Sequence, residues 1–258
     1  MARLCRLQPQ RGKSAFQLTG NCQYMQPEQS PTCRILRYLC RIKKTRLSNK
    51  SKQMPTGYLQ IAKRLQAIAQ AGLTYCDNKY DIERYEELRD IAVDMASQAA
   101  GFDPGFVRKV FTSEEGYPTP KVDVRSVVFR EGRILMVKET IDGLWSLPGG
   151  WADVGYSPFE VAAKETWEES GFRVEPVRLL AVHDKDKHDH PADIYAVYKM
   201  FILCRIVGGE GNTGIETSEI GFFDRDHLPV LSTPRVTEPQ IRMLFDFYDH
   251  PDKPALCD

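Results

Sequence analysis

Hydrophobic spacing divides the chain into a helical part followed by an alternating part. Ile61, Leu65 and Ile68 share one stripe of a helix expected over Tyr58 to Ala71, with Gly72 closing it. After Asp81, apolar residues repeat at the same period (Ile82, Tyr85, Leu88, Ile91, Ala92, Met95), and Gly101 follows. Asp103-Pro104 joins a capping residue to a first-turn proline and opens a short helix through Val110. Ser113 to Pro120, with one glycine and two prolines, reads as a linker.

From Lys121 onward the period falls to that of strands, with Val122 and Val124 alternating ahead of Val127-Val128-Phe129. An Arg130-Glu131-Gly132 turn and a returning strand, Ile134 to Val137, come next. Leu144 to Leu147 then leads into Pro148-Gly149-Gly150. Val177 to Val182, Ile194 to Val207 and Ile220 to Phe223 read as further strands, and Thr237 to Tyr248 as a closing helix. The implied fold is α/β (α+β): a mixed sheet sandwiched between helices, preceded by a small all-helical domain. The expected segments are 1–53 as an extension, 54–112 as the helical domain, 113–120 as linker, 121–250 as the second domain and 251–258 as a tail.

Composition supports two modest cores, since 42% of the 258 residues are apolar. Apolar runs are strand-sized, far below the ~20 residues a membrane span requires. Seven cysteines, an odd number without paired metal spacing, point to a reducing compartment. Overall neutrality conceals a split: residues 1–53 hold 12 Lys/Arg against the single acid Glu28, and the remainder is correspondingly acidic. Four cysteines (Cys5, Cys22, Cys33, Cys40) and no sustained period mark that first segment as outside the fold. An organelle transit peptide, a basic nucleic-acid arm and sequence upstream of a true start at Met54 all fit it. The acidic balance of 54–258 argues against nucleic acid as a partner.

Candidate chemistry concentrates between Gly150 and Phe172. Ser157-Pro158-Phe159-Glu160 supplies an N-cap, a first-turn proline and a capping-box glutamate, and Gly171 ends the helix. On a wheel at about 100° per residue, Phe159, Ala163 and Thr166 fall on one side and Glu165, Glu168 and Glu169 nearly opposite. Three like charges at i, i+3 and i+4 repel unless a cation lies among them, and hard oxygen ligands select Mg²⁺ or Mn²⁺. Lys164 and Arg173 stand at i,i+4 to Glu168 and Glu169, whereas Glu165 has no such partner. The Gly149-Gly150 turn lets backbone carbonyls approach an ion.

Gly150, Glu165, Glu168, Glu169, Gly171 and Phe172 resemble the box of the Nudix hydrolases, G-x5-E-x7-R-E-U-x-E-E-x-G-U. Tyr156 departs from it at the first glutamate, Lys164 at the arginine and Thr166 at an aliphatic position. In the family that first glutamate and arginine brace the loop against the helix; here Lys164 is expected to pair with Glu160. The wording around the box resembles bacterial CDP-choline and ADP-ribose pyrophosphatase-type members with a helical N-terminal domain, from about Tyr58 to Tyr248. Because the family-like sequence begins just after Met54, an upstream origin is the preferred reading of residues 1–53.

The resemblance implies metal-dependent hydrolysis of the phosphoanhydride in a nucleoside diphosphate linked to another group. It implies Glu165 and Glu169 as principal ligands of Mg²⁺ or Mn²⁺, Glu168 as ligand or base, and the Gly150 carbonyl as a backbone ligand. It also calls for a carboxylate from outside the box, for which Glu216 and Glu219 are the candidates. The segment His183 to Pro191 lacks recognised zinc spacing and reads as a polar loop. Within it Lys187, His188 and His190, together with Arg125, are candidate substrate contacts. Homodimerisation through the N-terminal helices and a cytoplasmic location are expected. The rival reading is a Nudix-derived sensor that binds a nucleotide without catalysis.

Overall fold

A computed structural model describes residues 57–258 of the chain. The expectations for residues 1–53 therefore lie outside the described residues.

Three helices come first, α1 (Tyr58–Tyr75), α2 (Lys79–Ala100) and α3 (Pro104–Thr112). Asn78 and Asp103 cap α2 and α3 through Tyr80 N–H and Phe106 N–H, and Gly101 ends α2 at φ 70°. The packed face matches the expected stripes only in part, since Leu65, Ala92 and Met95 lie on it but Ile68 and Ile91 do not. Leu59 and Ala62 meet Ala92, Val93 and Ala96, with Val107 and Phe111 closing the cluster, while Ile68 and Ile91 face outward. Small residues win the contact because they let the helix axes approach. For the same reason Gly72 is interior to α1 and not its cap, since a Cβ there would fall 2.4 Å from the Tyr85 ring.

Two glutamines are buried on the same face because each satisfies carbonyls in the last turn of α3 or just beyond it. Gln66 donates to Phe111 O at 2.7 Å, and Gln70 donates to Glu114 O and Gly116 O.

The remainder is a mixed sheet, eight-stranded among the described residues. β1 (Lys121–Arg130) pairs antiparallel with β2 (Arg133–Glu139) and parallel with β6 (Val197–Gly209). β3 (Trp145–Ser146) lies on β2, and β4 (Gly149–Trp151) pairs with the start of β1. β5 (Phe172–Asp184) joins β6, β7 (Thr217–Phe223) joins β2, and β8 (Leu256–Cys257) adds to β5. β5 is longer than the apolar run suggested, and it absorbs Pro176 where its register with β6 shifts. β6 starts later than expected, because Ile194 packs into the core of the three helices instead.

Helix α4 (Pro158–Ser170) covers one sheet face over Val124, Val128, Leu135 and Ile202. Helix α5 (Glu238–Asp249) covers the other through Ile241, Leu244 and Phe245, against Val127, Met136 and Phe201. The expected sheet between helices is thus present, with adjacent Val127 and Val128 serving opposite cores. No helix of the described residues is long and apolar enough to cross a membrane.

Candidate active site

The capping box of α4 forms as written: Ser157 Oγ accepts from Glu160 N–H, and Glu160 Oε2 accepts from Ser157 N–H at 2.8 Å. Glu160 is therefore taken, and Lys164 does not pair with it. The Lys164 ammonium instead lies 3.1 Å from Glu165, 3.2 Å from Glu168 and 3.6 Å from Asp153. Glu165, which has no basic partner at i,i+4, is reached by its immediate neighbour Lys164.

The wheel also needs correction. The buried side of α4 is Val161, Ala162, Thr166, Glu169 and Ser170, while Phe159 is exposed. Glu169 thus belongs to the packed face, Glu165 borders it and Glu168 looks outward. Polarity on a wheel cannot show that one carboxylate of three is carried into the protein.

Gly149 explains how Glu169 is received. Its N–H donates to Glu169 Oε2 at 3.0 Å, and its φ of 142° brings the turn flat against β1. A Cβ there would lie 2.0 Å from Val124 O. Gly149→Ala should therefore cost roughly 2 kcal/mol or more in urea unfolding, through strain and overlap; a midpoint unchanged from wild type would contradict this packing. Gly150 lies beside Glu165, whose Oε2 is 3.4 Å from where a Cβ would stand.

Burial pushes the Glu169 carboxyl up to about 8, against the opposing pull of Arg125 and the Gly149 N–H, with Glu139 and Glu165 raising it further. Glu139 is the acid from outside the box that the structure brings here, and sequence reasoning missed it. It ends β2 buried, accepting from Ser146 Oγ at 2.7 Å and pairing with Arg235 Nε at 3.1 Å.

Pleating explains why the two sequence candidates lie elsewhere. Lys138 and Glu139 point to opposite sides of β2, and Glu219 sits opposite Lys138, bridged to it at 2.7 Å and exposed. Glu216 is exposed beside it, its carbonyl accepting from Thr140 N–H.

Arg125 also departs from its expected role. It is buried, with donors engaged by Asp123 and the Leu147 carbonyl, so it supports the site from below and does not face substrate. Asp123 also takes the buried Lys199 ammonium. Burial alone would raise Asp123, but Arg125 and Lys199 outweigh it and hold this carboxyl below its ordinary range. Burial lowers Lys199 to about 8 despite Asp123, with Arg125 adding to the effect.

β1 carries β4 on one edge and β6 on the other at the level of Asp123, so the loop after β5 emerges at the same end of the sheet as Gly150. On that loop Lys187 is exposed, His188 Nε2 lies 3.0 Å from Asp258, and His190 Nδ1 lies 2.7 Å from Thr233 O. Burial lowers His190 to about 4, so it is neutral at physiological pH. His183 and His188 stack face to face at 3.9 Å and 13°. Their in-plane lone pairs therefore run side by side and do not converge, so the group is built as a packed pair, not a zinc cage. Lys63 of α1 reaches Asp186 at 2.8 Å, tying the helices to this loop. A cavity of about 570 Å³ lined by Arg130, Phe172 and Phe222 opens at the other end of β1, away from the box carboxylates.

A mixed sheet between helices, with a Gly-Gly turn delivering the chain to a carboxylate helix, is the arrangement in which two family matches fall. Residues 119–247 match the NUDIX domain, and residues 57–111 match the UDP-X-like N-terminal oligomerisation domain. The chain belongs to the Nudix hydrolase family. It is 50% identical over 206 residues to the Bacillus subtilis protein named "Putative ADP-ribose pyrophosphatase YjhB", covering 80% of this chain and 99% of that one. Among solved structures, one titled UDP-X diphosphatase is 34% identical with a TM-score of 0.52, over 78% of this chain and 98% of its own. An ADP-ribose pyrophosphatase from Streptococcus suis is 42% identical with a TM-score of 0.50, over 54% of this chain and all of its own.

Proposed function

We propose that the chain hydrolyses the phosphoanhydride of a nucleoside diphosphate linked to a second group, with Mg²⁺ or Mn²⁺ held by the α4 carboxylates. The observation that carries this is the burial of Glu169 within electrostatic reach of Glu139, Glu165 and Arg125, the last with donors engaged by Asp123 and the Leu147 carbonyl. The donor set fits a hard divalent cation, which would offset the burial and, secondarily, the neighbouring carboxylates that raise Glu169. Glu165 and Glu169 would be its principal ligands, with Glu168 as ligand or base and the Gly150 carbonyl as an adjoining donor. Bound there, the cation supplies charge for the diphosphate oxygens and a water of lowered pKa.

The protein's own part is positional. Gly149 N–H and Arg125 hold Glu169 in place, and the loop carrying Lys187, His188 and His190 is supported as the contact for the rest of the substrate. Trp151, half exposed next to Gly150 with Tyr195 at 6.5 Å, offers a stacking surface for a base. ADP-ribose and UDP-linked compounds are the substrates to try first, given the names of the relatives, with CDP-choline and other nucleotide sugars added from the family resemblance. A homodimer through α1 and α2 is supported by the match to an oligomerisation domain and by the outward Ile68 and Ile91. Three free cysteines among the described residues support a reducing compartment, the cytoplasm.

With Mg²⁺ at pH 8, ³¹P NMR on that panel should show a nucleoside monophosphate and a second phosphomonoester, and chelator should abolish both. Hydrolysis of no member, or hydrolysis indifferent to chelator, would overturn the proposal.

A further inference from the structure

Lys164 stands at the arginine position of the Nudix box, but its contacts are not the pairing with Glu160 expected of it. Its ammonium touches Glu165 at 3.1 Å and Glu168 at 3.2 Å, so one side chain neutralises two of the three carboxylates assigned to the cation. The third contact, Asp153 Oδ2 at 3.6 Å, comes from the loop between β4 and α4. Asp153 also helps shape that loop, its carbonyl accepting from Tyr156 N–H at 3.2 Å. Tyr156 itself is half exposed and carries no charge with which to brace Lys164. Glu160, the other acid within reach along the helix, is held by the capping box.

We infer that Lys164 is a built-in counter-cation for Glu165 and Glu168, and that Asp153 is the carboxylate to which it retreats when a divalent cation takes them. This rests on the metal reading of α4 given above. The geometry provides for the exchange. Lys164 ends in a single flexible ammonium, only partly covered, already within 4 Å of both the carboxylates it must release and the one that keeps it. Two positive charges cannot share Glu165 and Glu168 at such distances without strong repulsion, so the ammonium must move toward Asp153. Lys164 and Asp153 are thus positioning residues: together they set how tightly the carboxylates bind a cation and hold the loop against the helix.

The test is direct Mn²⁺ binding to the full chain, read by the electron paramagnetic resonance of free Mn²⁺ without substrate. Lys164→Met should bind about tenfold more tightly than wild type, because the competing charge is gone. Lys164→Arg, which keeps a cation, should return most of the way to wild type. Asp153→Asn should bind about threefold more weakly in the wild-type background yet make no difference in Lys164→Met, since Asp153 acts only through the ammonium. Equal or weaker binding by Lys164→Met, or an Asp153→Asn effect that persists without Lys164, overturns the inference alone. If wild type binds no Mn²⁺, or if Glu169→Gln binds as well as wild type, both this inference and the metal reading fall.

Discussion

Glu169→Gln should lose roughly 10³-fold in kcat, the several kcal/mol that a correctly held cation contributes to a transition state rich in phosphate charge. The same change should make the chelator-treated protein more stable at pH 8. The folded carboxyl titrates near 8 because it is buried, whereas its ordinary value is 4.5. A pKa raised by folding contributes stability below the ordinary value, and that stability is lost as pH rises toward the folded one. Metal-free wild type should therefore weaken between about pH 4.5 and 8, by an amount on the order of 3–5 kcal/mol. Glutamine carries no charge and can still accept from Gly149 N–H, so the variant should lack that slope. Kinetics with Mg²⁺ and urea unfolding across pH in chelator check the two halves. Retained turnover would remove Glu169 from the chemistry, and parallel pH slopes would show that its carboxyl is not the strained group.

Asp123→Asn should be the most damaging substitution away from the box. It leaves the buried Arg125 and Lys199 charges without the carboxylate they share, a loss that typically costs about 3–5 kcal/mol. Lys199 lies near 8 in the folded protein and at 10.5 ordinarily, so its protonation opposes folding, and the stability lost on this account is recovered as pH rises from 8 toward 10.5. Asp123 holds the Lys199 pKa up, so in the variant the ammonium sheds its proton at lower pH than in wild type, and the deficit should shrink as pH rises toward about 8, leaving Arg125 as the remaining orphan. Urea unfolding of both proteins at pH 7 and 9.5 measures this. A deficit below about 1 kcal/mol at pH 7 would show that the buried network is not under the load its geometry implies. Activity should fall as well, because Arg125 loses the partner that holds it beneath Glu169.

How much of the site was legible follows from how local each feature is. Caps and turns depend on a few consecutive residues, so Ser157 to Glu160, Gly171 and Asp103 could be read directly and are realised. The same holds for the three glutamates, whose spacing alone brings them onto neighbouring positions of one helix. Long-range pairing has no local signature. Glu139 comes within electrostatic reach of Glu169 only through the tertiary fold, and an acid closing an apolar strand looks like an ordinary exposed strand end. The choice of Glu216 and Glu219 followed the flexibility of a loop, but the register of β7 on β2 places Glu219 with Lys138. In the sequence Arg125 is a candidate phosphate contact because a guanidinium suits phosphate; it pairs with Asp123 two positions back on the same face of β1, and what the tertiary structure decides is its burial.

The helical domain gives the same lesson in apolar terms. Its elements were predictable from periodicity, but the packed face only in part: Leu65, Ala92 and Met95 lie on it, whereas Ala62 and Ala96 are buried in place of the larger Ile68 and Ile91. Close approach of two helices selects by size as well as by hydrophobicity.

By itself, then, the sequence determined the order and kind of the elements, the capped carboxylate helix after a Gly-Gly turn, and membership in a family that works with phosphoanhydrides. These depend on spacing and backbone preference within a few residues. Only the tertiary structure decided which glutamate is buried, which acid joins it from β2, and where Lys164 rests. Those are matters of strand register, pleat and desolvation, which arise when distant segments meet.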